Sequence, residues 1–256
     1  MTSSLYSVLI RGILLDIEGT TTPIAFVHEV LFRYARSRVK NYLGVDFDSA
    51  ETRADIAGLR KEHANDVEQD LKPPALVDGP RDVEIASIVA YLDWLMDRDR
   101  KSTSLKSLQG RIWRQGYRDG TLKASVFADV APALERWHNA GLKISIFSSG
   151  SILAQKLLFA HTEIGNLTNF IDDYFDTTSG SKTEIESYQH IASAFQLPVG
   201  TILFISDVVA ELDAAEAAGM QTLLCGRPGN HPQPLSRRHR IIQSFDEISD
   251  LSRLLT

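Results

Sequence analysis

Four short apolar runs, each stopping on a polar or small residue, constrain this chain more than any other feature. Val8–Leu15 stops at Asp16, and Lys143–Phe147 stops at Ser148, Ser149 and Gly150. Thr201–Ile205 stops at Ser206 and Asp207, and Gln221–Leu224 stops at Cys225 and Gly226. The runs are nearly continuous in Val, Ile, Leu and Phe instead of alternating, which is the pattern of parallel strands covered on both faces. Helical stretches alternate with them: Ala131–Ala140, Ile152–His161, Thr183–Phe195 and Val209–Gly219. Gly141 and Gly219 stand where a helix C-terminal glycine belongs. From about residue 121 onward the alternation predicts an α/β fold, a doubly wound and mostly parallel sheet.

Residues 23–120 follow a different pattern, with no convincing strand. Apolar residues recur at helical spacing over Phe26–Leu43 and Arg81–Met96, and Leu105–Tyr117 supplies a further helix. Lys72-Pro73-Pro74 and Asp78-Gly79-Pro80 break the helices apart. The expected organisation is a discontinuous α/β core, 1–22 and 121–256, with an α-helical domain of residues 23–120 inserted after the first strand.

Composition removes whole classes of function. A chain of 256 residues with 43% hydrophobic and 23% charged residues is globular. At this length roughly 73% of the unfolded surface is buried on folding, so no disulfide or structural metal is required. The single cysteine, Cys225, rules out an intrachain disulfide framework or CxxC site and fits a reducing, cytoplasmic setting. Val8–Leu15 is interrupted by Arg11 and Gly12 and is too short to span a bilayer, so no membrane partner is expected. With 27 basic against 33 acidic residues the net charge is −6, which argues against nucleic-acid binding. The one basic run, Arg237, Arg238, His239 and Arg240, is expected to be a solvated loop.

No GxGxxG, Walker loop, HExxH or GxSxG occurs, and chemistry-bearing residues concentrate at strand ends instead. In open α/β sheets ligands gather outside the carboxyl ends of the strands, so these ends should converge on one crevice. Asp16-Ile17-Glu18-Gly19 offers two acids and a glycine that permits a sharp exit, although a simple turn would use the same residues. Ser148 and Ser149, before a helix, fit an anion site, or Ser149 fits an ordinary N-cap. Lys182, at the start of the next helix, opposes the helix dipole unless an anion faces it, and a solvated lysine is the alternative. Asp207, with Glu211 four residues on, suggests a hard-cation site when paired with Asp16, or else a helix cap.

In this order the four groups resemble the signature of haloacid dehalogenase-type phosphatases, whose Rossmann-like core carries a cap inserted after the first motif. One departure narrows the resemblance: Glu18 stands where most members have a second Asp. Asp16-Ile17-Glu18-Gly19-Thr20-Thr21-Thr22-Pro23-Ile24 is similar to the opening motif of the enolase-phosphatases of methionine salvage. Leu108-Gln109-Gly110 with Ile112-Trp113 and Gly116-Tyr117 fits the same family. So do Phe127-x-Asp129-Val130 and Ser206-Asp207 with Glu211, Ala214 and Ala215.

The resemblance implies a monomeric enzyme acting on a small phosphorylated substrate. It would convert 2,3-diketo-5-methylthiopentyl 1-phosphate into the acireductone 1,2-dihydroxy-3-keto-5-methylthiopentene and phosphate. Asp16 is then the nucleophile, forming an aspartyl-phosphate that water hydrolyses. One Mg²⁺ per chain would be held by the Asp16 carboxylate, the Glu18 backbone carbonyl and Asp207. Ser148, Ser149 and Lys182 would hold the phosphoryl oxygens, with Lys182 also catalytic, and the Glu18 carboxylate would move a proton during enolisation. The insert would act as a lid, with Trp113 and Tyr117 either lining a pocket for the methylthio end or packing helices. A broader sugar-phosphate phosphatase or mutase with the same core, and a non-catalytic binding module, are the rival readings.

Overall fold

The computed structural model describes residues 9–232 and 238–248. They form two compact units: one runs up to Val27 and resumes at Lys123, and the other is His28–Leu122.

The second unit is helical: α1 (Arg33–Asp46), α2 (Ala50–Glu68), α3 (Arg81–Asp97) and α4 (Thr103–Arg118). A wide π-type turn, Phe26–Phe32, leads into α1, so the single helix expected over Phe26–Leu43 is divided in two. Helix α2 was not legible in the sequence. Its buried face holds only Ile56 and Leu59 as apolar residues, completed by Thr52 and Asp66. The Asp66 carboxylate accepts bonds from the Tyr91 hydroxyl (2.7 Å) and the Arg100 guanidinium (2.6 Å), the pairing a buried acid requires. Trp113 is buried, donates its indole N–H to the Leu31 carbonyl at 2.9 Å and stacks on Phe32. Trp113 therefore serves the packing of this unit.

The first unit is built on a six-stranded parallel sheet: β1 (Gly12–Leu15), β2 (Lys143–Phe147), β3 (Asp173–Phe175), β4 (Ile202–Ser206), β5 (Gln221–Cys225) and β6 (Arg240–Ile242). The order is β3-β2-β1-β4-β5-β6. Helices α5 (Val130–Asn139), α6 (Ile152–Ala160), α7 (Ile185–Phe195) and α8 (Val209–Ala217) cover it. Every residue of β1 and β4 is buried, which is why these strands read as unbroken apolar runs. On one face Leu14, Phe204 and Leu224 pack with Tyr188, Ile191 and Phe195 of α7 and Leu212 and Ala215 of α8. A side chain at Gly12 would run into the Phe195 ring, so glycine lets α7 approach β1 closely. The expected C-terminal glycines, Gly141 and Gly219, both adopt positive φ, +75° and +97°.

Two edge strands, β3 and β6, escape sequence reading because each has only three residues and is partly exposed. The basic run is not the solvated loop expected. Arg237 lies outside the described residues, but His239 is buried between Thr222 (2.9 Å) and Asp213 (3.0 Å), and Arg240 opens β6. Arg238 pairs with Asp213 at 3.1 Å and with Glu216 at 2.6 Å.

Candidate active site

Strand order dictates where a site can form. From β1 the chain builds leftward through β2 and β3, then crosses to β4 on the other side of β1 and continues to β6. The direction therefore reverses between β1 and β4, the place where an open α/β sheet opens a crevice. Leu15 pairs with Ile205 on one side and Ile146 on the other, so the register brings three strand ends level. Asp16 leaves the end of β1, Ser206 and Asp207 the end of β4, and Phe147 and Ser148 the end of β2.

Asp16 is buried, its N–H bonded to the Ile205 carbonyl at 3.0 Å. Beyond it the chain folds into a tight loop in which the N–H groups of Thr20, Thr21 and Thr22 all bond the Ile17 carbonyl. Gly19 adopts φ +71°, and a Cβ there would run into the Asp207 carboxylate. Glycine is thus needed twice, for the left-handed turn and for the close approach of loop backbone to Asp207. Half-buried Glu18 sits immediately before it and bridges to Thr22.

Lys182 does not stand at a helix start as expected, but on the turn before α7, whose first residue is Ile185. Gly180 takes φ +121°, and the turn is fastened back onto α7 by two hydroxyls. Ser187 donates to the Ser181 carbonyl at 2.6 Å and Tyr188 to the Lys182 carbonyl at 2.6 Å. The ammonium is thereby aimed inward, 2.5 Å from Asp16 Oδ1 and 2.6 Å from Glu211 Oε2. Its pKa would be lowered by burial, but Asp16 and Glu211 outweigh that and hold it above the ordinary lysine value. A solvated lysine is excluded.

Glu211 belongs to this cluster although the sequence marked it only as the acid four residues after Asp207. It also accepts a bond from the Ser206 hydroxyl at 2.9 Å. Asp207 does not cap α8; the Ser206 hydroxyl accepts from the Val208 N–H instead, at 3.1 Å. Burial, followed by the charges of Asp16 and Glu211, pushes the Asp207 carboxyl up to about 7, with Lys182 opposing. Glu211 is raised by burial and then by Asp16, again against Lys182. Three carboxylates thus face one lysine, and when all three are ionised they leave an excess of two negative charges in a buried place.

Ser148 and Ser149 end β2, the neighbour of β1. Ser148 is buried, its hydroxyl accepting from the Gly150 N–H at 3.2 Å, while Ser149 is exposed. Gln155 of α6 braces this turn by donating to the Gly150 and Phe175 carbonyls, each at 2.8 Å. Ser149 is not the N-cap; Ser151 is, accepting from the Ala154 N–H.

The donor set fits a hard divalent cation, which takes oxygen ligands and offsets charge that one lysine leaves uncompensated. Asp16, Asp207 and the Glu18 backbone carbonyl would supply that oxygen at the crevice. Another group, Asp213, Glu216 and His239, has ligand atoms within 4.8 Å of one another, but Arg238 already pairs with both of its carboxylates.

The family model for haloacid dehalogenase-like hydrolases matches residues 10–219. Enolase-phosphatase E1 of Synechococcus elongatus is 48% identical over 241 residues, covering 94% of this chain and 98% of that protein. This chain belongs to the enolase-phosphatase E1 family of haloacid dehalogenase-like hydrolases. Enolase-phosphatase E1 of Sorangium cellulosum is 45% identical, with 93% and 97% of the two chains covered. An Arabidopsis thaliana protein described as a probable bifunctional methylthioribulose-1-phosphate dehydratase/enolase-phosphatase E1 is 45% identical, and this chain matches 48% of its length. Among solved structures, the UTR4 protein of Saccharomyces cerevisiae is similar with a TM-score of 0.74 at 34% identity, covering 93% of this chain and 99% of that one.

Proposed function

We propose that this protein is a magnesium-dependent enolase-phosphatase of methionine salvage, turning 2,3-diketo-5-methylthiopentyl 1-phosphate into the acireductone and phosphate. The observation that carries the reading is the buried Asp16 carboxylate at the topological switch point, held by Lys182 at 2.5 Å and facing Asp207 across the β1–β4 junction. Phosphoryl transfer asks chiefly for a positioned nucleophile and for charge neutralisation around the phosphoryl oxygens; this cluster positions the nucleophile, and the neutralisation would come from Lys182 together with the cation the carboxylates would hold. Asp16, the Glu18 carbonyl and Asp207 are the residues that would hold Mg²⁺. When bound, the ion supplies Lewis-acid polarisation of the diketone and neutralises phosphoryl charge.

The rest is done by the chain itself. The Glu18 carboxylate takes the proton from the carbon bearing the phosphate and returns it to the adjacent carbonyl oxygen, giving the enol. The Asp16 carboxylate then attacks phosphorus as the bond to the ester oxygen breaks, leaving aspartyl-phosphate and the acireductone. Water attacks the phosphorus of that intermediate, inorganic phosphate leaves and Asp16 is regenerated. Lys182, Ser148 and Ser149 bind the phosphoryl oxygens. The helical unit, residues 28–122, is assigned the role of a cap that limits access of water during turnover. A monomer working in the cytoplasm completes the proposal, with light scattering after size exclusion as the check on its mass.

The test follows phosphate release and acireductone absorbance together, with the diketone phosphate and with a panel of hexose phosphates. Both signals from the diketone phosphate, with phosphate release abolished by EDTA, support the reading. Phosphate from hexose phosphates alone overturns it in favour of a broader sugar-phosphate phosphatase or mutase. Glu18→Gln isolates the proton step, and enolisation at the wild-type rate in that variant would remove Glu18 as the base.

A further inference from the structure

The loop after Asp16 presents three consecutive carbonyls, and each is held by a residue far away in the chain. Asn230 donates its amide to the Gly19 carbonyl at 2.9 Å. Arg227 Nε donates to the Thr20 carbonyl at 3.1 Å. The Phe127 N–H donates to the Thr21 carbonyl at 3.0 Å.

Behind these contacts lies a buried brace. The Arg227 guanidinium lies between the Phe127 and Phe245 rings, 4.5 Å and 4.6 Å from their centroids. It also bonds Asp129 Oδ2 at 2.7 Å and the Gln243 carbonyl at 3.1 Å. The same Asp129 oxygen accepts from the Phe245 N–H at 2.5 Å and from the Ser244 hydroxyl at 3.1 Å. Burial works against an ionised Asp129, yet Arg227 and the Phe245 N–H outweigh it and hold its carboxyl below the usual range. Asn230 is tied on its other side to the Cys225 carbonyl at the end of β5, at 3.3 Å. The segment after β5 therefore carries two side chains whose polar ends terminate on the nucleophile loop.

We propose that Arg227 and Asn230, backed by Asp129, are positioning residues that set the Glu18–Gly19 backbone against Asp207 and so tune divalent-cation affinity. With the three following carbonyls pinned elsewhere, the loop cannot rotate its peptide planes independently, and Glu18 is delivered in one orientation. Arg227 suits this task because its planar fork serves Thr20, Asp129 and Gln243 at once while its faces are covered by rings, which an ammonium cannot reproduce. The inference rests on the reading of Asp16, Glu18 and Asp207 as the cation site.

The experiment compares wild type with Asn230→Ala, Arg227→Lys and Arg227→Met, titrating Mg²⁺ by thermal shift without substrate and by phosphate release with it. Residues that orient metal ligands from behind typically change metal affinity or activity by about 10- to 100-fold when replaced. Half-saturation by Mg²⁺ is therefore expected to rise by about tenfold or more in Asn230→Ala and Arg227→Met in both assays. Arg227→Lys should fail to restore it. Lower melting temperatures with unchanged Mg²⁺ half-saturation would show a purely structural brace and overturn the proposal. Should Arg227→Met not fold, Asn230→Ala decides the question, because its side chain is only partly buried. A wild-type protein stabilised by Mg²⁺ but releasing no phosphate would refute the functional reading, leaving the thermal titration to judge the brace on its own.

Discussion

Asp207→Asn should stabilise the metal-free protein while destroying its activity, and the size of the effect follows from the site. Asp207 is 8% exposed and shares the crevice with Asp16 and Glu211, so its carboxyl rises from the ordinary 3.8 to about 7. Between those two values the folded state binds more protons than the unfolded chain, and stability falls as pH rises. Above pH 7 the whole difference opposes folding, ~4 kcal/mol at 1.36 kcal/mol for each tenfold change. At pH 5 only about 2 kcal/mol of it remains. Asparagine removes the ionisation, so in EDTA the variant should melt about 8–16 °C above wild type at pH 8 and about half that above it at pH 5. Mg²⁺ should then raise the wild-type melting temperature at pH 8 and leave the variant nearly unmoved. Scanning calorimetry at both pH values, with EDTA and with Mg²⁺, reads all four quantities. A variant no more stable than wild type at pH 8, or an advantage that does not change with pH, would refute the picture of excess buried charge.

Asp16→Asn should keep the native fold, measured by circular dichroism, while phosphate release falls by at least about a thousandfold, as loss of a nucleophile does. Turnover within about tenfold of wild type would dismiss Asp16 from that role. Gly19→Ala meets both a positive φ and the Asp207 carboxylate, so urea unfolding should show a loss of about 1–3 kcal/mol together with weaker Mg²⁺ binding. Cys225 is fully buried and its thiol is pushed up to about 12, first by burial. It should therefore be silent to a thiol-disulfide reagent at pH 8 in the native protein and titrate as one thiol in guanidinium, and fast native labelling would contradict its burial.

How far the sequence could be read depended on which physical signal each element carries. Strands β1, β2, β4 and β5 announce themselves because burial on both faces demands continuous apolar residues, as in Ile13-Leu14-Leu15. Strand β6 hides behind Arg238 and His239, where a buried histidine bonded to Asp213 and Thr222 does the work of an apolar residue. Helix α2 hides for the same reason, through Asp66. At the site, Asp16 and Asp207 were legible because position at a strand end is a sequence property. The orientation of Lys182 was not, since it depends on Gly180 and on hydroxyls of α7 that bond backbone. Arg227 and Asn230 were beyond reach, because they act on carbonyls 207 and 211 residues away through side-chain contacts that leave no periodicity.

The charge balance also couples the two occupants this site would take. Asp16, Asp207 and Glu211 against Lys182 leave two negative charges where a phosphate ester must dock, and a phosphate dianion would add two more. Protonating Asp207 and Glu211 would remove the conflict, but it would also remove an oxygen ligand that the cation needs. A divalent cation resolves the conflict without that loss, since it neutralises the excess and attracts the anion to the same place. Cation and phosphate binding are therefore expected to be positively coupled, and such coupling must be reciprocal. Inorganic phosphate should tighten Mg²⁺ binding by the same factor by which Mg²⁺ tightens phosphate, a factor that isothermal titration in both orders measures directly. Independent binding of the two would mean that Lys182 and the Ser148 turn alone suffice for the anion, and the argument from charge would fail.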